Sequence, residues 1–427
     1  MINRDSIDSL ASTSFSSHFK HPNYEGYAFS MIPNTVFNLL TGGKQRALPD
    51  AVVGGTYQQH EVVVLFLIDG FGWRFLEKYK DTFSSLKRFD QEGIVSKISS
   101  QFPSTTAAHI TTICSGLEVG QTGIYEWFQY EPLFDRIIAP LPFCFAGEHT
   151  LNTLSKKGVP TQQIFPFTSL YQELKQSGVK SYVVQHEGIV HSSYSQAMHQ
   201  GAEKVPYRSW EEALKRVVAI SEQPHAEPVY VFVYFGDIDA VGHRHGIHSS
   251  DFDAIVSSCW NTMEEHYWKP MKQVHRRVAT LITADHGMVS VDPKTTVYLN
   301  KIYPEILDDV VRNKEGLPLI PAGSCRDFFL HIKKEQLVKV QKKLAELLKG
   351  IAEVQFVQDL IDQGFFGALP VSRRLMERIG NLVILPYLNE SVWWFEKHRF
   401  EQHFFAAHGG LTPDEMETIL LFHSIHK

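Results

Sequence analysis

The chain has 427 residues, 43% of them apolar and 21% charged, with a formal net charge of -6. Those proportions exclude a disordered or fibrous chain, and the acidic balance argues against a nucleic-acid-binding surface, which carries a basic excess. Cys114, Cys144, Cys259 and Cys325 lie far apart with no CxxC pair, which excludes a disulfide framework or a thiolate zinc site and leaves reduced, buried thiols.

The opening stretch, MINRDSIDSLASTSFSSHFKHP, lacks the apolar centre of a signal peptide. The longest apolar runs, 62–68 and 229–235, are too short to span a bilayer. A soluble, cytoplasmic protein is expected, with signal-independent export left open. Residues 1–55 are polar and irregular, with two Gly-Gly turns, and read as a lead-in segment. From Glu61 onward, short β-rich runs alternate with helical stretches: VVVLFLI (62–68), IVSKI (94–98), SYVVQ (181–185), VYVFVYF (229–235) and ATLITA (279–284). Continuous apolar strands of this kind are buried on both faces. The expected fold is α/β, with a mostly parallel central sheet and helices on both faces. Phe252, Ile255, Val256, Cys259, Trp260 and Met263 recur at helical spacing and predict a packing helix over 251–277. Residues 296–400 read as strand, amphipathic helix and aromatic-rich strand, an inserted α+β cap subdomain. Residues 401–427 then return to the core begun at 56–295.

In open α/β sheets, sites form beyond the carboxyl ends of the strands. Three apolar runs end in chemistry-bearing residues: Asp69-Gly70; GDIDAVGHRHG, with Asp237, Asp239, His243 and His245; and Asp285-His286-Gly287. A late AHGG adds His408. Singly, each reads as a turn, a helix cap or a surface histidine. Jointly, they point to metal. Carboxylate and imidazole donors without thiolates suit zinc, manganese or iron and not calcium. Three Asp and three His supply two ions with three ligands each, the arrangement used for phosphoryl transfer. FPSTTAAH (102–109) fits that chemistry: two threonines open a helix whose N-terminus favours a phosphate. A threonine hydroxyl bound to a divalent cation becomes a nucleophile. Helix capping is the plainer role for the same residues.

The segments FLIDGFG, FPSTTAAHITTICSGLEVGQTGIYEW, YFGDIDAVGHRHG, LITADHGM and AAHGG stand in the order of the alkaline phosphatase superfamily. The chain resembles its type I phosphodiesterase/nucleotide pyrophosphatase branch from residue 62 onward. The resemblance implies two divalent ions, zinc or alternatively manganese. One is held by Asp69, Thr106, Asp285 and His286, the other by Asp239, His243 and His408. The family's nucleophile precedes the glycine of an [ST]G step by ten residues; here that glycine is Gly116, so the count falls on Thr106, with Thr105 as the alternative. The implied reaction cleaves a phosphodiester or pyrophosphate bond through a phospho-threonine intermediate. The implied substrate is a small phosphate ester such as a nucleotide, and no stable nucleic-acid binding is expected.

Where better-known members carry Asn after the nucleophile, this chain has His109, which either donates to the phosphoryl oxygen or is structural. Asp237, two residues before Asp239, would share its face on an extended backbone; a capping or supporting role is expected of it. His245 and His248 read as pocket or solvent residues. Phe71, Trp73, Tyr125, Trp127 and Phe167 are candidates to stack a nucleobase. A monoesterase or phosphonate hydrolase is the rival enzyme, with Arg74 and Arg326 as sources of the positive group it would want over the phosphate. A catalytically silent binding protein on the same fold is the rival from another class. The sulfatase motif Cys-x-Pro-Ser-Arg is absent.

Overall fold

The computed structural model describes residues 1–425. Seven strands form the central sheet: β1 (Val62–Ile68), β2 (Ile94–Ser99), β3 (Lys180–His186), β4 (Ala202–Tyr207), β5 (Val229–Phe235), β6 (Val278–Thr283) and β7 (Glu417–Ile425). Their order is β2-β7-β6-β1-β5-β3-β4. Only β7 runs against the others. β1 sits at the centre, paired in parallel with β5 and β6 from Val62 onward, so its end and theirs emerge together.

All seven residues of β1 are buried, because both faces are covered. Alternation along the strand sorts them. Val62, Val64, Phe66 and Ile68 join one core. That core is built against helix Trp210–Glu222 and against helix Ser250–Met263, which buries Phe252, Val256, Cys259, Trp260 and Met263. The predicted packing helix is therefore present, ending at Met263 and continuing through a π-helical turn, Glu264–Trp268. Val63, Leu65 and Leu67 face a second core on the other side.

Part of that second core comes from residues 1–55, which are not an irregular lead-in. They carry α1 (Arg4–Ala11) and α2 (Ile32–Thr41). Ile32, Val36, Leu39 and Leu40 of α2 pack against the sheet beside Ile110 and Ile113 of α3 (Thr106–Ser115). Tyr27, Phe29, Leu48 and Val52, outside these two helices, join the same core, so apolar residues spread through the segment are gathered on the sheet.

Within 296–400, a four-stranded antiparallel sheet runs in the order Ala322–Gly323, Phe328–Leu330, Leu382–Pro386, Ala352–Phe356. Helix Leu337–Leu347 buries Val340 and Leu344 in a third core. That core extends into Phe102, Ala108 and Tyr125, so residues 296–400 pack directly against α3 and the segments on either side of it. The four cysteines are free and buried.

Candidate active site

Three strand ends converge. β1 leads into Asp69 and Gly70, and Gly70 turns with φ +73°, a conformation glycine adopts without strain. A Cβ there would come within 3.1 Å of that of Asp239, so the loops after β1 and β5 are in contact. β6 leads into Asp285 and His286. A Cβ on the following Gly287 would lie 2.0 Å from the Asp414 carbonyl oxygen, so only glycine fits that crossing. β5 leads into helix Asp237–His245, where the four-residue spacing sets Asp239 and His243 on one face. His408 arrives on the loop before β7.

The ligating atoms of Asp69, Asp285 and His286 lie within 4.8 Å of one another, as do those of Asp239, His243 and His408. The first group is sealed, with His286 and Asp285 at 0% exposure and Asp69 at 2%. The two groups adjoin, the rings of His286 and His408 stacking with centres 3.6 Å apart. Thr106, the first residue of α3, points into the first group. Its Oγ1 is 3.4 Å from each oxygen of Asp69 and 3.3 Å from His286 Nε2. Thr105 is the N-cap residue, and its side chain makes no capping hydrogen bond.

The donor set fits divalent cations on three counts. Each ligand histidine has Nδ1 against a backbone carbonyl oxygen: Gly287 for His286 (3.0 Å), Ala406 for His243 (2.7 Å) and Ser104 for His408 (2.9 Å). That contact fixes the tautomer and leaves the Nε2 lone pair free to bind metal. Asp239 Oδ1 and Asp285 Oδ2 are buried with no hydrogen-bond partner. The titration behaviour is that of a pocket short of positive charge. Burial, with the charges of Asp285 and Asp239, pushes Asp69 well above the carboxylate range, and burial with repulsion from Asp239 raises Asp285 to about 7. Burial and the neighbouring imidazoles hold His286 and His408 well below the usual range. At Asp239–His243 burial opposes ionisation of both groups, but their mutual attraction wins, lowering the carboxyl and raising the imidazole.

The structure supplies a residue that sequence reading missed. The Tyr234 hydroxyl donates to Asp69 Oδ2 at 2.5 Å. Its only signal was a hydroxyl next to the end of an apolar strand. The other residues singled out in the sequence take the following places. His109 is fully buried; its Nε2 accepts from the Gln101 N–H at 2.9 Å and its Nδ1 donates to Thr105 O at 2.7 Å. Burial lowers its pKa to about 4, so it is a neutral structural histidine with no proton free for a phosphoryl oxygen. Asp237 does not share a face with Asp239, because the backbone is already helical there; it sits exposed in the first turn, where a carboxylate suits the helix dipole. His245 and His248 are exposed. Arg326 is no phosphate clamp: it is buried in a two-point pair with Glu415, at 2.9 Å for each nitrogen. Arg74 is paired with Asp414. Of the stacking candidates, Phe71, Trp73 and Tyr125 are core residues, Phe167 is half-buried and Trp127 is exposed.

A mostly parallel sheet thus carries six candidate metal ligands and a threonine at its strand ends. The chain belongs to the type I phosphodiesterase/nucleotide pyrophosphatase family, whose model matches residues 63–411. It is similar to ectonucleotide pyrophosphatase/phosphodiesterase family member 3 of Rattus norvegicus, 23% identical over 249 residues, which are 57% of this chain and 27% of the rat protein. It is also similar to family member 1 of Homo sapiens, 25% identical over 255 residues, 57% of this chain and 25% of the human protein. The match thus spans about a quarter of the length of these relatives. Among solved structures, murine ectonucleotide pyrophosphatase/phosphodiesterase 5 shares the fold, with a TM-score of 0.63 at 17% identity, covering 86% of this chain and 88% of that one. The same murine protein as an inactive variant in complex with AMP has a TM-score of 0.63 at 16% identity, covering 84% and 87%. No helix among the described residues is long and apolar enough to cross a membrane.

Proposed function

We propose that this protein is a two-metal hydrolase of phosphodiester or pyrophosphate bonds, with Thr106 as nucleophile. The observation that carries the reading is the Thr106 hydroxyl, set among Asp69, Asp285 and His286 at the start of a helix with the second ligand group adjoining. Asp69, Asp285 and His286 would hold one ion and Asp239, His243 and His408 the other; their donor types favour zinc, with manganese as the alternative. Such ions lower the pKa of a bound hydroxyl and offset charge on entering and leaving oxygens.

The Thr106 hydroxyl gives up its proton to solvent and its oxygen attacks phosphorus in line. The new Oγ–P bond forms as the P–O bond to the leaving group breaks, and the leaving oxygen keeps the electron pair and takes up a proton. Water then loses a proton as it attacks the phospho-threonine, the Oγ–P bond breaks, Thr106 Oγ regains a proton, and phosphate monoester departs. The first N–H groups of α3 would face the non-bridging oxygens. Tyr234 holds Asp69 in place through the second oxygen of its carboxylate. With Arg326 committed to Glu415 and Arg74 to Asp414, no observation favours a monoesterase. A nucleotide substrate is supported by the AMP named with the murine neighbour.

The test is nitrophenol release from bis(p-nitrophenyl) phosphate and from p-nitrophenyl phosphate, with and without chelator, in wild type and Thr106→Ala. The expected result is a diester preference, abolished by chelation and reduced at least about 10³-fold in the variant. Faster monoester cleavage, or full activity in Thr106→Ala, would overturn the reading.

A further inference from the structure

We infer that Phe404 and Phe405 form a leaving-group wall, selecting an aromatic or broad apolar alcohol over a small hydrophilic one. This rests on the phosphodiesterase reading above and adds the substrate side that reading leaves open.

The two rings are 45% and 50% exposed, although phenylalanine is among the residues most often buried. Looseness does not explain it. The Phe405 N–H donates to His243 O at 2.8 Å, and its carbonyl accepts from the Val291 N–H at 3.0 Å. The Phe404 N–H donates to Gln402 Oε1 at 3.3 Å. The backbone is therefore pinned to the helix that carries Asp239 and His243, while both rings stand in water. The Phe404 ring centre is 4.6 Å from that of His243, with planes tilted by 38°. Phe405 sits beside Gly246, at the end of the same helix, where a Cβ would come within 3.3 Å of its own.

The site opens on this side. The side chains of Asp239, His243 and His408 are 15%, 18% and 11% exposed, against 0–2% in the group around Thr106. In-line attack by Thr106 sends the leaving oxygen away from the sealed group, toward the open one and past Phe404. Tilted aromatic pairs with centres about 4.5–7 Å apart are favourable, so a ring on the leaving group would extend the Phe404–His243 pair, with Phe405 next to it in the chain.

The test uses the metal-loaded full chain with Phe404→Ala, Phe405→Ala and the double variant, and Phe404→Leu as the control that stays apolar without a ring. Two diesters share the retained group; one has an aryl and the other a small fluoroalkyl leaving alcohol of matched acidity. The expected result is a fall in kcat/KM of about 2- to 10-fold per ring for the aryl substrate, with the fluoroalkyl substrate held within about 2-fold. In parallel, calorimetry on Thr106→Ala compares phenylphosphonate with methylphosphonate; a phenyl preference lost on removing the two rings is expected. Equal losses on both diesters, or no phenyl preference, would overturn the wall. So would a change of oligomeric state in the double variant with phenyl preference intact, which would make the rings a contact between copies. If wild type turns over neither diester, the phosphodiesterase reading fails, while the phosphonate comparison still decides the wall.

Discussion

At the scale of single residues, the site separates side chains that would ligate a metal from side chains that hold those groups in place. Tyr234 is of the second kind. Its hydroxyl occupies one oxygen of Asp69 and orients the other toward the metal position. Tyr234→Phe should weaken metal binding about 10-fold or more, as loss of a supporting hydrogen bond commonly does; titration of the metal-free protein with zinc measures it. His109 is a support of another sort, satisfying the Gln101 N–H and the Thr105 carbonyl inside the protein. His109→Ala leaves that buried N–H unpaired and should cost about 1–3 kcal/mol of stability. Activity per folded molecule should hardly change. A denaturant melt beside an active-site titration separates the two outcomes, and normal stability with lost turnover would return His109 to the chemistry.

At the scale of elements, the cap is tied to the loop that carries His408. The Ser324 hydroxyl reaches the His408 carbonyl at 3.3 Å. Arg326 crosses to Glu415, whose carboxylate also accepts from the Gly410 N–H at 3.0 Å and from the Thr412 hydroxyl at 2.6 Å. Both members of the ion pair are fully buried. Breaking such a pair leaves an uncompensated charge and typically costs about 3–5 kcal/mol, whereas replacing both members with apolar residues can be neutral. Arg326→Leu should therefore lower the melting temperature sharply and weaken metal binding at His408. Replacing Glu415 with Leu as well should restore part of the stability but not the loop, because Gly410 and Thr412 lose their acceptor. A mild effect of Arg326→Leu alone would mean that the cap is held by its apolar core.

At the scale of the whole molecule, the site is a concentration of charge inside a folded protein. Without cations, Asp69 and Asp285 have folded pKa values raised above the unfolded value of about 3.9. The stability they confer is present below that value and is lost as pH rises through the folded pKa, about 7 for Asp285. His286 and His408 are depressed, so their stability is lost as pH falls below the unfolded histidine value of about 6.5. Chelator-treated protein should therefore melt highest in mildly acid solution, between those two unfolded values, and lose stability as pH rises through about 7. Added zinc should raise the melting temperature most at the alkaline end, where carboxylates and imidazoles are both in their ligating forms. A metal-induced shift that is flat with pH would contradict this assignment of the ligands.

The sequence alone determined five of the seven strands of the central sheet, their order along the chain and the identity of the candidate ligands; β4, AEKVPY, has no continuous apolar run to mark it. Apolar runs of five to seven residues are read locally, and Asp, His and Gly recur directly after them. The helix Asp237–His245 also matched its spacing once its start was known, but its start was not legible. An Asp two residues before another reads alike in a strand or a helix, and only the observed backbone put Asp237 on a different face from Asp239. Tertiary structure alone decided what each polar side chain meets. Arg326 meets Glu415 across 89 residues of sequence, and the Tyr234 hydroxyl meets Asp69 across 165. His109 is engaged by Ser100 and Gln101, which lie before it in the chain. Residues 1–55 became part of the core for the same reason: one apolar helical face is weak evidence by itself, and burial against a sheet formed later in the chain gives it its role. Periodicity is a property of neighbours in sequence, whereas desolvation and pairing are set by neighbours in space.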